Sequence, residues 1–167
     1  MKYLEDCYKK EFESEIIEVK DKFIVLKETL FYPKSGGQPN DTGKLNDYNV
    51  VFVGKFNNQI SHEVDKEGLK VGNKVKGTID WDRRYKLMRS HTAAHIVSNV
   101  IHKETGALIT GNQLELNKIR IDFSLEEFNK EKFEEYINKA NQVMKEGRNV
   151  SSMIVSKEEA TNILGER

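Results

Sequence analysis

The sequence contains little that could cross-link it or hold it in a membrane. Its 167 residues include a single cysteine, Cys7, so no internal disulfide can form and a cytoplasmic location is expected. We expect a buried structural role for Cys7, since no histidine lies near it in sequence to activate a thiolate. No apolar run approaches the roughly 20 residues that a membrane helix needs, and the first residues lack the apolar stretch of a signal peptide.

The sequence also lacks an excess of either charge. Its 27 basic and 27 acidic side chains cancel, which argues against a strong nonspecific binder of nucleic acids. The distribution is nevertheless uneven, because residues 83–103 contain five basic side chains and no acidic one, whereas residues 125–167 contain nine acidic and seven basic. Residues 83–103 are therefore either a solvated helix face or a surface that attracts an anionic substrate such as RNA phosphate.

The first half of the chain predicts a small barrel or sandwich. Short segments rich in β-branched residues alternate with turn residues, which is typical of many short strands. Residues 20–22 and the pair Asn57 and Asn58 are the predicted turns. The predicted strands cover residues 15–19, 23–26, 50–53 and 60–64 and part of 71–80.

The second half predicts helices mixed with strands. From a helix N-cap at Asp82 to about Lys103, apolar residues recur at helical spacing. A capping box at residues 124–127 predicts the start of a long helix that ends at Gly147. Its predicted buried side consists of Phe128, Phe133, Tyr136, Ile137, Ala140 and Met144, strands are predicted at 118–123 and 151–155, and a last short helix opens at 156. The fold class is therefore α+β, with a barrel-like subdomain at residues 1–81 and an α+β subdomain at 82–167.

The strongest candidate for chemistry is the pair His91 and His95. Two imidazoles four residues apart on a helix lie on one face and can bind one metal ion, normally zinc. The same spacing is common among ordinary helix residues, so that alternative stays open. A metalloprotease would need a glutamate directly after the first histidine, and Thr92 stands there instead.

The pair alone cannot complete a catalytic zinc site, which takes about three protein ligands. His102 follows His95 by seven residues, about 10 Å along a helix axis, and is too distant to share the ion. His62 or Cys7 could join only if the fold brings them close.

A second candidate is the glycine-rich loop within residues 31–43. Gly36 and Gly37 permit left-handed backbone angles and the close approach of a ligand, and Gln38 offers an amide that can donate and accept hydrogen bonds. The alternative is a tight connection between strands. The loop is not a P-loop, because no Gly-Lys-Ser/Thr follows it.

Taken together and in order, these stretches resemble the editing domain of alanyl-tRNA synthetase and its free-standing relatives, the AlaX trans-editing proteins. Ser35 stands where the family commonly has a third glycine. Similar segments cover most of the chain: residues 28–33, 36–39 and 41–43 around the loop, 77–84 and 88–95 around the histidine pair, and 106–111 and 120–123 after it.

The resemblance implies a small β-barrel joined to an editing subdomain like the second additional domain of threonyl- and alanyl-tRNA synthetases. It implies zinc-dependent hydrolysis of the ester between tRNA for alanine and a wrong amino acid, serine or glycine. A hydroxyl that hydrogen-bonds the serine side chain would reject alanine. By this resemblance, Gln38 and Thr110 are expected to take part in catalysis. Substrate binding is expected of Gly36, Gly37 and Arg89, and zinc binding of His91 and His95.

One departure from the family is important. The family completes its metal site with a cysteine and a histidine separated by three residues, downstream of the part that resembles residues 156–167, and this sequence has no such motif. We therefore expect a fragment that binds zinc weakly and edits poorly. Two alternatives remain: a noncatalytic module that binds the acceptor end of tRNA, and a structural domain with solvated histidines.

Overall fold

The computed structural model describes residues 2–127, 129–151 and 153–164. After a short helix α1 (Lys2–Glu5), six antiparallel strands close into a barrel in the order β1-β2-β5-β4-β3-β6. No helix among the described residues is long and apolar enough to cross a membrane. The strands are β1 (Glu11–Lys20), β2 (Phe23–Leu26), β3 (Gly43–Leu45), β4 (Tyr48–Phe56), β5 (Gln59–Val64) and β6 (Lys74–Ile79).

The barrel confirms the fold predicted for the first half. Alternate residues point inward, as the two-residue period of a strand requires, and they form one apolar core around the fully buried Phe31. Asn57 and Asn58 both have positive φ, as does Asp21 between β1 and β2, so the predicted turns are confirmed. The strand β3 was not predicted, because its three residues are too short to show a period.

A long helix α2 (Trp81–Thr105) follows the barrel after one residue. Its N-cap is Asp80, whose side chain accepts a hydrogen bond from the backbone nitrogen of Arg83. The prediction of Asp82 as the cap is therefore wrong by two positions, since Asp80 already satisfies a free N–H of the first turn. Gly106 ends the helix in the left-handed conformation.

The remaining elements are a hairpin of β7 (Ile109–Leu114) and β8 (Ile119–Phe123), helix α3 (Lys130–Lys145) and helix α4 (Lys157–Leu164). The hairpin and α3 both contact α2. Ser156 and Glu159 form the reciprocal hydrogen bonds of a capping box, which confirms the start of the last helix. Gly147 follows the end of α3 with a φ of 63°.

Several predictions in the second half are wrong. Ser124 does not open a helix, since its backbone nitrogen and side-chain oxygen both pair with Leu108, and α3 begins later with Asn129 as its cap. Phe128 lies outside the described residues. Met144 is exposed rather than buried. Residues 151 and 153–155 are exposed and form no strand, because no described strand lies beside them to pair with.

Candidate functional site

The glycine-rich loop is a closed turn. Ser35 and Gln38 exchange two backbone hydrogen bonds of 3.2 and 2.9 Å, and between them Gly36 and Gly37 have φ values of 58° and 77°. Two consecutive residues with positive φ are what a type I′ turn requires, and glycine meets that need without strain. The glycines therefore serve the backbone first, and they point the Gln38 side chain out of the turn.

The turn lies directly against β7. The Gly37 carbonyl accepts a hydrogen bond of 2.9 Å from the Leu114 nitrogen. A β-carbon at position 37 would lie 1.6 Å from Oδ1 of Asn112 and 3.2 Å from that residue's carbonyl oxygen. Only glycine allows this approach, so position 37 joins the barrel half of the site to the hairpin.

Helix α2 supplies the histidine pair. His91 and His95 stack with ring centroids 5.0 Å apart and an angle of 11° between the rings, as residues one turn apart on a helix do. His91 is half-buried and His95 is exposed. Burial, and secondly the proximity of His95, lower the pKa of His91 below its usual value, so its imidazole is neutral at pH 7.

One hydrogen bond joins the loop to the pair. His91 Nδ1 lies 2.7 Å from Oε1 of Gln38. An amide oxygen can only accept, so the proton must be on Nδ1 and the other ring nitrogen of His91 keeps its lone pair. The structure therefore brings together two side chains that are 53 positions apart in the sequence, and it fixes the tautomer of one of them.

Gln38 is held by its backbone and by its amide oxygen, but its amide nitrogen is bonded to no protein group that the structure describes. Gln38 is 4% exposed, and its backbone is fixed in the turn with Ser35. Among the described residues, no protein group accepts a hydrogen bond from its amide nitrogen, and this nitrogen is not one of the buried side-chain atoms without a partner, so it is open to solvent. A solvent-facing amide N–H can donate to a carbonyl oxygen or an oxyanion of a ligand.

The histidine pair supplies half of a zinc site. A neutral imidazole whose Nδ1–H is held by an amide oxygen is the form in which histidine binds metal through its other nitrogen. Among the described residues, however, no group of three or more His, Cys, Asp and Glu could hold an ion. The two imidazoles fit two ligand positions of a zinc ion, and the described residues supply no third ligand.

Of the residues that the structure describes, neither His62 nor Cys7 lies with the histidine pair in a group that could hold a metal ion. His62 is fully buried inside the barrel, where Nδ1 donates to the Ile24 carbonyl and Nε2 accepts from the Thr29 hydroxyl, at 3.0 and 2.9 Å. Both of its nitrogens are therefore occupied. Cys7 is exposed, which contradicts the expected buried role. The backbone carbonyl oxygen of Cys7 accepts a hydrogen bond from the Arg84 guanidinium.

Within the described part of the chain, the predicted site residues Thr110 and Arg89 form no hydrogen bond or ion pair with Gln38 or the histidine pair. Thr110 is exposed on β7, at the bulge between Ile109 and Gly111 where the register with β8 shifts. A bulge redirects a side chain, and Thr110 lies two residues before Asn112, which touches the loop. Arg89 precedes His91 by two residues of α2 and therefore leaves the helix on nearly the opposite side, where its guanidinium carbon lies 5.8 Å from the ring centre of Tyr85.

Three residues that position the site were missed by sequence reasoning. Arg84 and Asp41 form a buried ion pair that ties the loop to α2, and Asn112 receives the turn at Gly37. Asp41 follows the glycines and Arg84 belongs to a doubled arginine at the helix start, but only the fold shows that they meet. Asn112 gave no signal, because β7 itself was not predicted as a strand.

Comparison with known proteins agrees with this arrangement. A family model described as tRNA synthetases class II (A) matches residues 2–83. The chain is 55% identical over 171 residues to the alanyl-tRNA editing protein AlaX-M of Methanosarcina mazei, covering 95% of this chain and 68% of that protein. It is 41% identical to AlaX-M of Saccharolobus solfataricus, covering 96% and 70%. An alanine–tRNA ligase of Methanococcus maripaludis is 35% identical, with 93% of this chain and 18% of the ligase covered.

Proposed function

The chain belongs to the family of alanyl-tRNA editing proteins, and on that basis we propose that it hydrolyses the ester of alanine-specific tRNA that carries serine or glycine. The observation that carries the proposal is the hydrogen bond between Gln38 and His91. It joins the glycine loop to the helix at a nearly buried residue whose amide N–H faces solvent. Ester hydrolysis needs such a donor, because negative charge develops on the carbonyl oxygen when water attacks.

Each side chain has a defined task in this proposal. The Gln38 amide nitrogen donates to the carbonyl oxygen of the ester, while its oxygen keeps His91 in place. Gly36, which has open space beside it, lets the terminal ribose approach the backbone closely, whereas Gly37 holds the turn against Asn112. Arg89 binds phosphate as a cation on the same helix.

The Thr110 hydroxyl provides the selectivity in this proposal. It hydrogen-bonds the hydroxyl of a seryl group, which an alanyl group lacks. A site that is built to bind a hydroxyl discriminates strongly against the analogue without one.

We also propose zinc as the cofactor, held by His91 and His95. When bound, zinc polarises a carbonyl oxygen or lowers the pKa of water. Because the described residues supply only these two ligands, the remaining ligands must come from outside them. This same shortage favours the alternative function, a noncatalytic module that binds the acceptor end of the tRNA.

The test is deacylation of alanine-specific tRNA charged with serine, glycine or alanine. We expect hydrolysis of the seryl and glycyl esters and little hydrolysis of the alanyl ester. Gln38→Glu keeps an oxygen for His91 but loses the amide donor, so we expect kcat to fall about 10²- to 10³-fold with the fold intact. Gln59→Ala, an exposed glutamine on β5, is the matched control and leaves kcat unchanged.

Zinc content is measured in the same experiment, for this chain and for one extended to the length of its AlaX-M relatives. We expect His91→Ala and His95→Ala to lower the zinc content of whichever chain binds the metal. If neither chain hydrolyses a mischarged tRNA, the editing proposal is wrong. If both chains then still bind the tRNA, the noncatalytic module takes its place.

A further inference from the structure

Two cations and two aromatic rings form one stack along α2, which includes Arg89, already proposed to bind phosphate, and against which the Tyr8 ring also packs. The Lys10 ammonium lies 4.6 Å from the ring centre of Trp81. Trp81 and Tyr85 stack with centroids 5.5 Å apart at an angle of 21°, and the Arg89 guanidinium carbon lies 5.8 Å from the Tyr85 centroid. We call Lys10, Trp81, Tyr85 and Arg89 the cation–aromatic stack.

The stack follows from the spacing of α2 and from the strand that enters the barrel. Trp81, Tyr85 and Arg89 recur every four residues, so they lie on one face of the helix. Lys10 immediately precedes β1 and reaches the same face. Backbone elements from both halves of the molecule therefore hold the stack in place.

This face of α2 is not the one that packs into the molecule. The buried residues of the helix are Arg84, Leu87, Ser98 and Ile101, whereas Tyr85 is 41% exposed. Lys10 and Arg89 are also exposed. An exposed aromatic pair between two cations contributes little apolar burial, so core packing does not account for it.

The charges on this face have no acidic partners. Among the described residues, neither Lys10 nor Arg89 forms an ion pair with a carboxylate, and Lys86 bonds only the neutral side chain of Asn117. No acidic side chain occurs in residues 83–103. The stacked cations are therefore available to an external anion.

We propose that the cation–aromatic stack binds the single-stranded end of the aminoacylated RNA, an inference that rests on the proposed function. Proteins bind single-stranded nucleic acids by combining cations for the phosphates with aromatic and guanidinium planes for the bases. A guanidinium held over a ring keeps its in-plane N–H groups free for phosphate. Arg89 and Lys10 contact phosphates here, and the exposed edge of Tyr85, whose faces pack on Trp81 and Arg89, contacts a base.

The position of the stack relative to the site sets the path that such a strand would take. Along the helix axis, His91 is about 3 Å from Arg89, about 9 Å from Tyr85 and about 15 Å from Trp81. Around the axis it lies about 160° from Arg89, about 120° from Tyr85 and about 80° from Trp81. A strand whose last ribose lies at Gln38 and His91 would therefore reach Trp81 and Tyr85 with its preceding nucleotides, and Arg89 by passing round the helix.

The test measures binding of an RNA hairpin with a four-nucleotide single-stranded 3′ end, and of the same hairpin with a blunt end. Trp81 is the sole tryptophan of the sequence, so binding is followed directly by its fluorescence and independently by anisotropy of labelled RNA. We expect Arg89→Gln to weaken binding several-fold and to reduce the salt slope of log K by about 0.7. Tyr85→Ala removes the ring on which Trp81 and Arg89 pack and should weaken binding several-fold.

Two controls separate the stack from general charge and from folding. Tyr85→Phe keeps the ring and should bind like wild type, and Lys44→Gln removes an exposed positive charge of β3 with the same change in net charge. The blunt hairpin should show no dependence on Tyr85. The inference would be overturned if wild type, Arg89→Gln and Tyr85→Ala bound the overhang with equal affinity and equal salt slope. It would also be overturned if the wild-type protein did not bind the overhang.

Deacylation in the same variants distinguishes this inference from the proposed function. If wild type edits and the variants edit with unchanged KM, the stack is not the RNA surface although the proposed function holds. If RNA binding depends on the stack while no chain deacylates, the proposed function fails and the inference about RNA binding stands.

Discussion

The Arg84 side chain closes the glycine loop onto α2 by donating from Nε to Oδ1 of Asp41 at 2.9 Å. Its terminal nitrogens reach the carbonyl oxygens of Cys7 and Leu30 at 2.9 and 2.6 Å. Both side chains of the pair are almost completely buried. Asp41 also accepts from the Tyr32 backbone nitrogen at 2.6 Å. One guanidinium therefore sets the position of the loop relative to the helix that carries the histidines.

We predict that breaking this pair is strongly destabilising. Arg84→Gln leaves the Asp41 carboxylate buried without a partner, and we expect the free energy of unfolding to fall by about 3–5 kcal/mol. Urea unfolding measures the change. Lys76 and Glu11, paired at 2.8 Å on the surface, provide the control, and Lys76→Gln should cost no more than about 1 kcal/mol. Similar losses for the two substitutions would contradict this account of the buried pair.

We predict different outcomes for alanine at the two glycines of the turn. Both have positive φ, so each substitution carries the left-handed penalty of about 1–2 kcal/mol. Nothing lies within 4 Å of a β-carbon at position 36, whereas one at position 37 would overlap Asn112. Gly36→Ala should therefore fold with its site intact, and Gly37→Ala should cost a further ~1–3 kcal/mol and displace Gln38 from His91.

Urea unfolding and the NMR chemical shifts of His91 measure both effects. Asn112→Ala in the Gly37→Ala background removes the overlapping side-chain atoms, and we expect part of the stability to return. If Gly36→Ala and Gly37→Ala have equal effects on stability and on His91, the contact with β7 does not position the loop.

The parts of the fold that sequence could predict are those with a local cause. The Asn57–Asn58 turn, the strands beside it and the capping box at Ser156 depend on residues close together in the chain, and the structure confirms them. The family resemblance extended this to the barrel, which is confirmed as a closed six-stranded sheet.

The parts that failed depend on contacts distant in sequence. Ser124 has a capping-box pattern, but it pairs with Leu108 instead, and this pairing prevails over local propensity. The bond from Gln38 to His91 and the pair of Arg84 and Asp41 could not be read from spacing, since each joins the loop to α2 across more than 40 positions. The roles proposed for Thr110 and Arg89 remain predictions.

We predict that Thr110 determines selectivity rather than rate. Thr110→Val keeps the shape of the side chain but loses the hydroxyl, so kcat/KM for the seryl ester should fall about tenfold. The glycyl ester has no side-chain hydroxyl and is the internal control, with an expected change below about twofold. A fall of equal size for both esters would show that Thr110 acts on the fold or on the reaction itself.

We predict that His62 makes the protein sensitive to acid. Burial lowers the pKa of His62 to about 4 in the folded state, against about 6.5 in the unfolded chain. Unfolding therefore takes up a proton between these values. The stabilising contribution of neutral His62 is complete above pH 6.5 and is lost as the pH falls towards 4, by about 3 kcal/mol in total.

His62→Gln removes the titrating group while keeping an amide that can donate to Ile24 and accept from Thr29. Its free energy of unfolding, measured with urea at pH 7, 6, 5 and 4, should fall less steeply than that of wild type, by up to ~1.4 kcal/mol per pH unit. His91 contributes equally to both chains, so the difference isolates His62. If His62→Gln keeps the wild-type slope between pH 7 and pH 4, protonation of the buried histidine is not what destabilises the protein in acid.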